Sequence, residues 1–222
     1  MQLRTHHPWD LEPGEAIALQ KSLAGELIFT PISGPVGAIA GVDISVKGNH
    51  AHAAVVVLSY PSLEEIERRT AIVEVTYPYV PGLLTFREAP AALNALAALS
   101  TWPDLIMFDG QGYAHPRRLG LASHLGLLLN TPAIGCAKSR LCGTYEPPAL
   151  ERGSWSPLID DEQVIGAVVR TRTAVSPVYV SAGHLTDLQQ AIQFVLSTCR
   201  GYRLPEPTRQ AHHLSTQWPE MQ

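Results

Sequence analysis

The sequence predicts an α/β protein built on one mixed sheet, and three observations carry that prediction. Apolar runs rich in β-branched residues follow one another in the first third with only short polar turns between them, as antiparallel neighbours do. From residue 103 onward strand-like and helix-like stretches alternate, the pattern of parallel strands joined by helices. Leu105-Ile106-Met107-Phe108 is apolar throughout, with Pro103 before it and Gly110-Gln111-Gly112 after it, as in a strand buried on both faces that ends at Asp109.

Taken in order, residues 8 to 27 place apolar side chains at helical spacing, so an amphipathic helix is expected there. Gly34 to Asp43 is an apolar run of small residues closing on an acid, read as a central strand with Asp43 at its end. Ala53 to Tyr60 follows a short polar hairpin loop, and Arg69 to Thr76 follows a turn at Ser62 to Glu65, giving three successive antiparallel strands. The stretch YPYVPGLLTFREAP reads as a loop entering a helix at Ala89 to Leu99, with Glu88 at the helix start. After Leu105 to Phe108 come a helix at Leu119 to Leu129 and a strand at Ala133 to Ala137 that delivers Lys138. Residues 144 to 162, rich in proline and polar side chains, read as a loop or excursion. Val164 to Arg170 and Val178 to Ser181 read as short strands, and Gly183-His184 as the break before a helix at Thr186 to Thr198. A last short helix is expected at about Thr208.

The 222 residues suit a single domain spanning 1–222 with a substantial core. A hydrophobic content of 45% with 16% charged residues is that of a soluble globular chain. No apolar stretch approaches the ~20 residues that cross a bilayer, and the polar start lacks a signal-peptide core, so a cytoplasmic location is expected. Cys136, Cys142 and Cys199 lack zinc or disulfide-framework spacing and read as inert thiols. A net charge of -4 argues against holding nucleic acid by bulk charge alone. Residues 110 to 145 nevertheless hold Arg117, Arg118, Lys138 and Arg140 with no acid before Glu146.

Asp43 and Asp109 each close a strand-like run, so neighbouring strands would bring two carboxylates together, and such a pair repels unless a cation lies between them. Hard oxygen donors suit Mg²⁺ or Mn²⁺, whose usual partner is a phosphate oxygen. Glu88 would be a third acid. Lys138 would place an ammonium beside a phosphate or a leaving oxygen. His115, with Arg117 and Arg118, reads as a proton-transfer group and two fixed positive charges on the same rim. Taken singly, each acid is ordinary turn or helix-start chemistry, Lys138 a surface lysine, His212 and His213 exposed histidines, His184 a turn cap and His124 a packed polar residue. Jointly the set fits phosphodiester hydrolysis by a metal-bound water.

Several stretches together resemble the endonuclease V family over nearly the whole chain. They are Gly41-Val42-Asp43, Pro78 to Leu84 followed by Phe86-Arg87-Glu88, Asp109 to Gly112 with His115-Pro116-Arg117, Gly120 to His124, Gly135 to Ser139, Val180-Ser181 with Gly183-His184, and Leu204 to Arg209. The resemblance implies a ribonuclease-H-like fold whose mixed sheet has three antiparallel strands and then parallel ones, flanked by helices. It implies Asp43 and Asp109 as direct ligands of Mg²⁺, with Mn²⁺ as a substitute, and Glu88 as a third acid acting directly or through water. Lys138 would stabilise the scissile phosphate, and His212, with His213 as the adjacent alternative, would position or activate the attacking water. Pro78-Tyr79-Val80-Pro81 resembles the family's wedge, and Leu84, Gly110, Gly112, His115, Gly120, Leu121 and Gly135 its lesion-base pocket, where a flipped hypoxanthine would meet backbone groups. Ala182 departs from the proline common in SPGH. The implied activity is a DNA repair cut at the second phosphodiester 3′ to deoxyinosine, leaving 3′-hydroxyl and 5′-phosphate ends, by a monomer that binds deoxyinosine-containing DNA or inosine-containing RNA and no membrane. A non-catalytic lesion binder and a junction resolvase of the same architecture are the alternatives.

Overall fold

The computed structural model describes residues 7–219, so the first six residues of the polar start lie outside it. One eight-stranded sheet runs in the order β3-β2-β1-β4-β5-β8-β7-β6. Helix α1 (Pro13–Ala24) opens on Pro13 at its first position and a capping box in which Glu12 and Glu15 satisfy each other's backbone. Strands β1 (Ala38–Lys47), β2 (His50–Ser59) and β3 (Glu65–Glu74) pair antiparallel in succession, as expected. Asp43 is not the last residue of β1, because the strand continues to Lys47 and turns tightly through Gly48 and Asn49.

Helix α2 (Leu84–Ala97) starts five residues earlier than the expected Ala89. Pro90 reads as a first-turn residue, yet the helix runs through it, because Leu83 and Phe86 anchor its start in a cluster with Ala16 of α1 and Tyr77. Glu88 therefore lies in the second turn. Strand β4 (Leu105–Phe108), helix α3 (Leu121–Leu129) and strand β5 (Ala133–Ala137) match expectation closely. The 144 to 162 excursion contains a strand, β6 (Trp155–Asp160), which forms a hairpin with β7 (Gln163–Val169). Strand β8 (Val178–His184) takes in Gly183 and His184, which were read as a break. Helices α4 (Leu188–Ser197) and α5 (Glu206–Ser215) complete the fold.

The parallel part of the sheet is shorter than alternation suggested. Pairing is parallel for β1 with β4 and for β4 with β5, whereas β8 joins β5 antiparallel and β7 and β6 follow antiparallel. Val164 to Ser181 is a hairpin return and not a helical crossover, so it reverses direction. The mixed sheet flanked by helices stands as expected. Helices α2 and α3 cover one face, packing on Ala40, Val42, Ile106 and Phe108, while α4 covers Met107, Ile134 and Val180 on the other. Helix α5 shares that second face, with Ala211 and Leu214 on Val56 and Leu58. Its first turn comes so close to β1 that a Cβ on Gly41 would lie 1.9 Å from the Pro207 carbonyl oxygen. Only glycine at 41 lets α5 lie this low over the strand that carries Asp43.

Candidate active site

Register builds the centre. In the parallel pairing Val42 stands beside Phe108, so the next residues, Asp43 within β1 and Asp109 just past the end of β4, stand side by side. The Asp109 amide donates to the Val42 carbonyl at 2.9 Å and holds the two strands together at this level. Lys138, the residue after β5, brings its ammonium into an ion pair with Asp109 and to 3.9 Å from Asp43. Helix α5 supplies the remaining side chains. His212 sets Nδ1 3.3 Å from Asp43 Oδ2 and 3.1 Å from Lys138 Nζ, and Ser215, one turn on, donates its hydroxyl to Asp43 Oδ2. Two contacts fix that last turn: Ser45 Oγ donates to the Ser215 carbonyl at 2.5 Å, and His52 Nδ1 lies 2.8 Å from it.

Burial and mutual repulsion set the electrostatics. Desolvation raises Asp109 to about 7, with the Asp43 carboxyl adding and Lys138 opposing. Desolvation, then Asp43, lifts Glu88 to about 8, with Arg87 pulling it down and Asp109 pushing it up. Carboxyls held this far above their ordinary range mark a site short of positive charge. Donor atoms of Asp43, Asp109 and His212 all lie within 4.8 Å of one another, a set that suits a divalent cation, and Glu88 stands outside this group. His213 is exposed and accepts a hydrogen bond from Gln217 at 2.9 Å, so of the two histidines it is His212 that faces the acids.

Beside the acids lies a cavity of about 400 Å³. Tyr79, Val80, Pro81 and Leu84 line it together with Gly110, His115, Gly120 and Leu121, and Asp109 and Lys138 are in its wall. Pro78 does not reach it. Gly112 and Gly135 do not line it either, contrary to expectation. They are packed behind it, where a Cβ on Gly135 would lie 2.3 Å from the Gly112 amide and one on Gly112 2.4 Å from the Ala182 carbonyl. Tyr79, which lines the cavity, is 71% exposed. Gln111, Ser139 and Arg140 also line the cavity and were not anticipated.

His115 has a different task from the proton transfer expected of it. Its Nε2 donates to the Gly82 carbonyl at 3.0 Å and its Nδ1 accepts from the Arg117 amide at 3.1 Å, which fixes a neutral tautomer. Burial, helped by Arg117 and Arg118, pushes it down to about 4. Arg117 and Arg118 likewise face inward, the former to Gln20 and Gly82 and the latter to Asp160, so neither confronts the acids. His184 accepts from the Ile28 amide at 3.3 Å inside β8, and not at a turn. His124 is fully buried and 2.8 Å from His7, the packed polar residue expected. All three thiols are free.

An eight-stranded mixed sheet with helices on both faces and acids side by side on adjacent parallel strands defines a ribonuclease-H-like protein. Comparison with known proteins narrows the class. A family model described as Endonuclease V matches residues 21–213. Endonuclease V of Methanothrix thermoacetophila is 53% identical over 97% of this chain and 96% of its own. The solved endonuclease V of Streptomyces avermitilis is 43% identical, covers 97% of this chain and 96% of its own, and superposes with a TM-score of 0.89. That of Ciona intestinalis (D234N), solved with a 23mer DNA containing an inosine followed by a ribo-adenosine, is 29% identical with a TM-score of 0.79, covering 91% and 94%. The chain belongs to the endonuclease V family, a family of nucleases.

Proposed function

We propose that this protein is a Mg²⁺-dependent endonuclease that extrudes deoxyinosine from DNA and hydrolyses the second phosphodiester on its 3′ side. The observation that carries the reading is that Asp109 belongs at once to the acid cluster and to the wall of the cavity, so a bound base and a reacting phosphate would share one rim. The Ciona relative's inosine-containing DNA supports hypoxanthine as the base. Asp43 and Asp109 would hold the cation, with His212 beside them and Glu88 acting through water. When bound, the cation supplies Lewis-acid polarisation of the phosphate and a more acidic water.

The chain's own residues do the rest. His212 takes a proton from the attacking water as its oxygen bonds to phosphorus. The bond from phosphorus to O3′ breaks, and O3′ takes a proton from solvent water to become the 3′-hydroxyl, while His212 returns to solvent the proton it took, leaving a 5′-phosphate. Lys138, the ammonium nearest the acids, neutralises charge that builds on the phosphate oxygens. Tyr79, rigid between two prolines, fills the stack that the base has left, and Leu84, Gly110, His115, Gly120 and Leu121 enclose that base. The test is nicking of duplex DNA with a single deoxyinosine, in Mg²⁺ and in EDTA. Cleavage is expected only with deoxyinosine and metal, and is expected to be lost in Asp43→Ala and Asp109→Ala while binding persists. Equal cutting of undamaged DNA, or indifference to chelator, would refute the reading. Inosine in RNA is the second reading, favoured by the ribo-adenosine beside the inosine in the Ciona complex. An RNA strand in the same assay separates the two.

A further inference from the structure

The wedge loop and the stretch that carries Gly120 and Leu121, both of which line the cavity, are joined through a side chain that lines neither. Gln20, on α1, has no exposed surface. Its Oε1 accepts from Arg117 Nε at 2.6 Å, and its Nε2 donates to the Gly82 carbonyl at 3.0 Å and to the Leu119 carbonyl at 3.3 Å. The amide orientation is fixed by its partners, since a guanidinium only donates and the two carbonyls only accept. Every hydrogen-bonding group of the amide tip that these partners can reach is used, as a buried amide requires.

What the amide joins gives it a function. Gly82 closes the wedge loop and, like Leu84, lines the cavity, while Leu119 directly precedes Gly120 and Leu121, which line it too. The Gly82 carbonyl also receives Arg117 Nη2 at 2.6 Å and His115 Nε2 at 3.0 Å, three donors on one oxygen. Gly82 has φ at +79°, a left-handed backbone that favours glycine at this point of the loop. We infer that Gln20 is a positioning residue that sets the width of the base slot, and with it the selectivity for inosine. The inference rests on the proposed function for the identity of the base. The clamp itself is a property of the folded protein without substrate. Gln20 precedes the stretch matched by the family model, which begins at residue 21.

Gln20→Met keeps length and burial but removes the polar tip, and Gln20→Glu keeps the acceptor for Arg117 while removing both N–H donors. Each is expected to raise KM for a deoxyinosine duplex about ten-fold and to lower the preference for inosine over adenine by a similar factor, with kcat within about two-fold. A role confined to stability would instead lower the active fraction, and so kcat, at constant KM. Hydrogen exchange on the free protein gives a second readout. The Leu83 amide, bonded to the Val80 carbonyl at 2.9 Å, is expected to exchange about ten-fold faster while β1, β4 and β5 are unchanged. If Gln20→Met unfolds, Gln20→Glu carries the test. Wild-type KM and wild-type Leu83 exchange in a folded variant would overturn the clamp. A wild-type protein indifferent to inosine would refute the proposed function instead, and exchange at Leu83 would still decide the clamp.

Discussion

Asp43 is oriented by a neighbour that has no chemistry of its own. The Ser215 hydroxyl donates to Asp43 Oδ2 from a fully buried position, leaving Oδ1 toward Lys138. Partners of this kind aim a ligand and hold its basicity, so Ser215→Ala is expected to weaken Mg²⁺ binding by about 10- to 100-fold, read by calorimetry or by loss of the Mg²⁺-induced rise in Tm. Glu88 gives the second residue-scale prediction. Its folded value of about 8 lies above the ordinary carboxyl range, so it favours folding fully below pH ~4.5 and loses that contribution as pH rises toward about 8. In EDTA, Glu88→Gln is therefore expected to melt above the wild type at pH 8 and to converge with it near pH 4.5. A Tm difference independent of pH would contradict that account. Both acids and Lys138 were legible in the sequence because each ends an apolar run. Ser215 was not, since a serine in a polar helix gives no sign of what lies opposite.

At the scale of elements, the ends of β4 and β5 were readable and the start of α2 was not. Apolar runs bounded by proline and glycine mark where β4 and β5 end, and those ends carry Asp109 and Lys138. The start of α2 was hidden because Pro90 mimics a first-turn proline, while the true start depends on Leu83 and Phe86 meeting α1, a long-range contact. The reversed direction of β8 was hidden too, since β6 lies within a proline-rich stretch that has no strand signature until β7 pairs with it. Within the wedge loop, the exposed Tyr79 lines the cavity together with Val80 and Pro81. Tyr79→Ala is expected to reduce affinity for deoxyinosine DNA by about 10-fold or more, one stacking interaction's worth of ~1–3 kcal/mol, with little effect on Tm. Fluorescence anisotropy with inosine and adenine duplexes measures it, and an unchanged inosine preference would remove the wedge role.

For the molecule as a whole, charge is distributed differently from the sequence reading. The run from 110 to 145 looked like a basic face. Two of its four cations, Arg117 and Arg118, instead bind Gln20, Gly82 and Asp160, leaving Lys138 and Arg140 at the cavity. With a net charge of -4, nucleic-acid binding is expected to depend only modestly on salt. A plot of log K against log[salt] should have a slope of about -2 to -3, as for two or three phosphates neutralised. Titrations in Mg²⁺-free buffer from low to moderate salt test this, and a slope steeper than about -6 would reveal a cationic track that these residues do not explain.

The low seat of α5 over Gly41 has a consequence in time as well as in space. Asp43 is synthesised early and His212 and Ser215 late, on a helix that follows all eight strands. While the chain is still emerging from a ribosome, its sheet precursors therefore exist before any competent cutting apparatus does. On the proposed mechanism, connectivity would keep a half-made chain from cutting the nucleic acid around it.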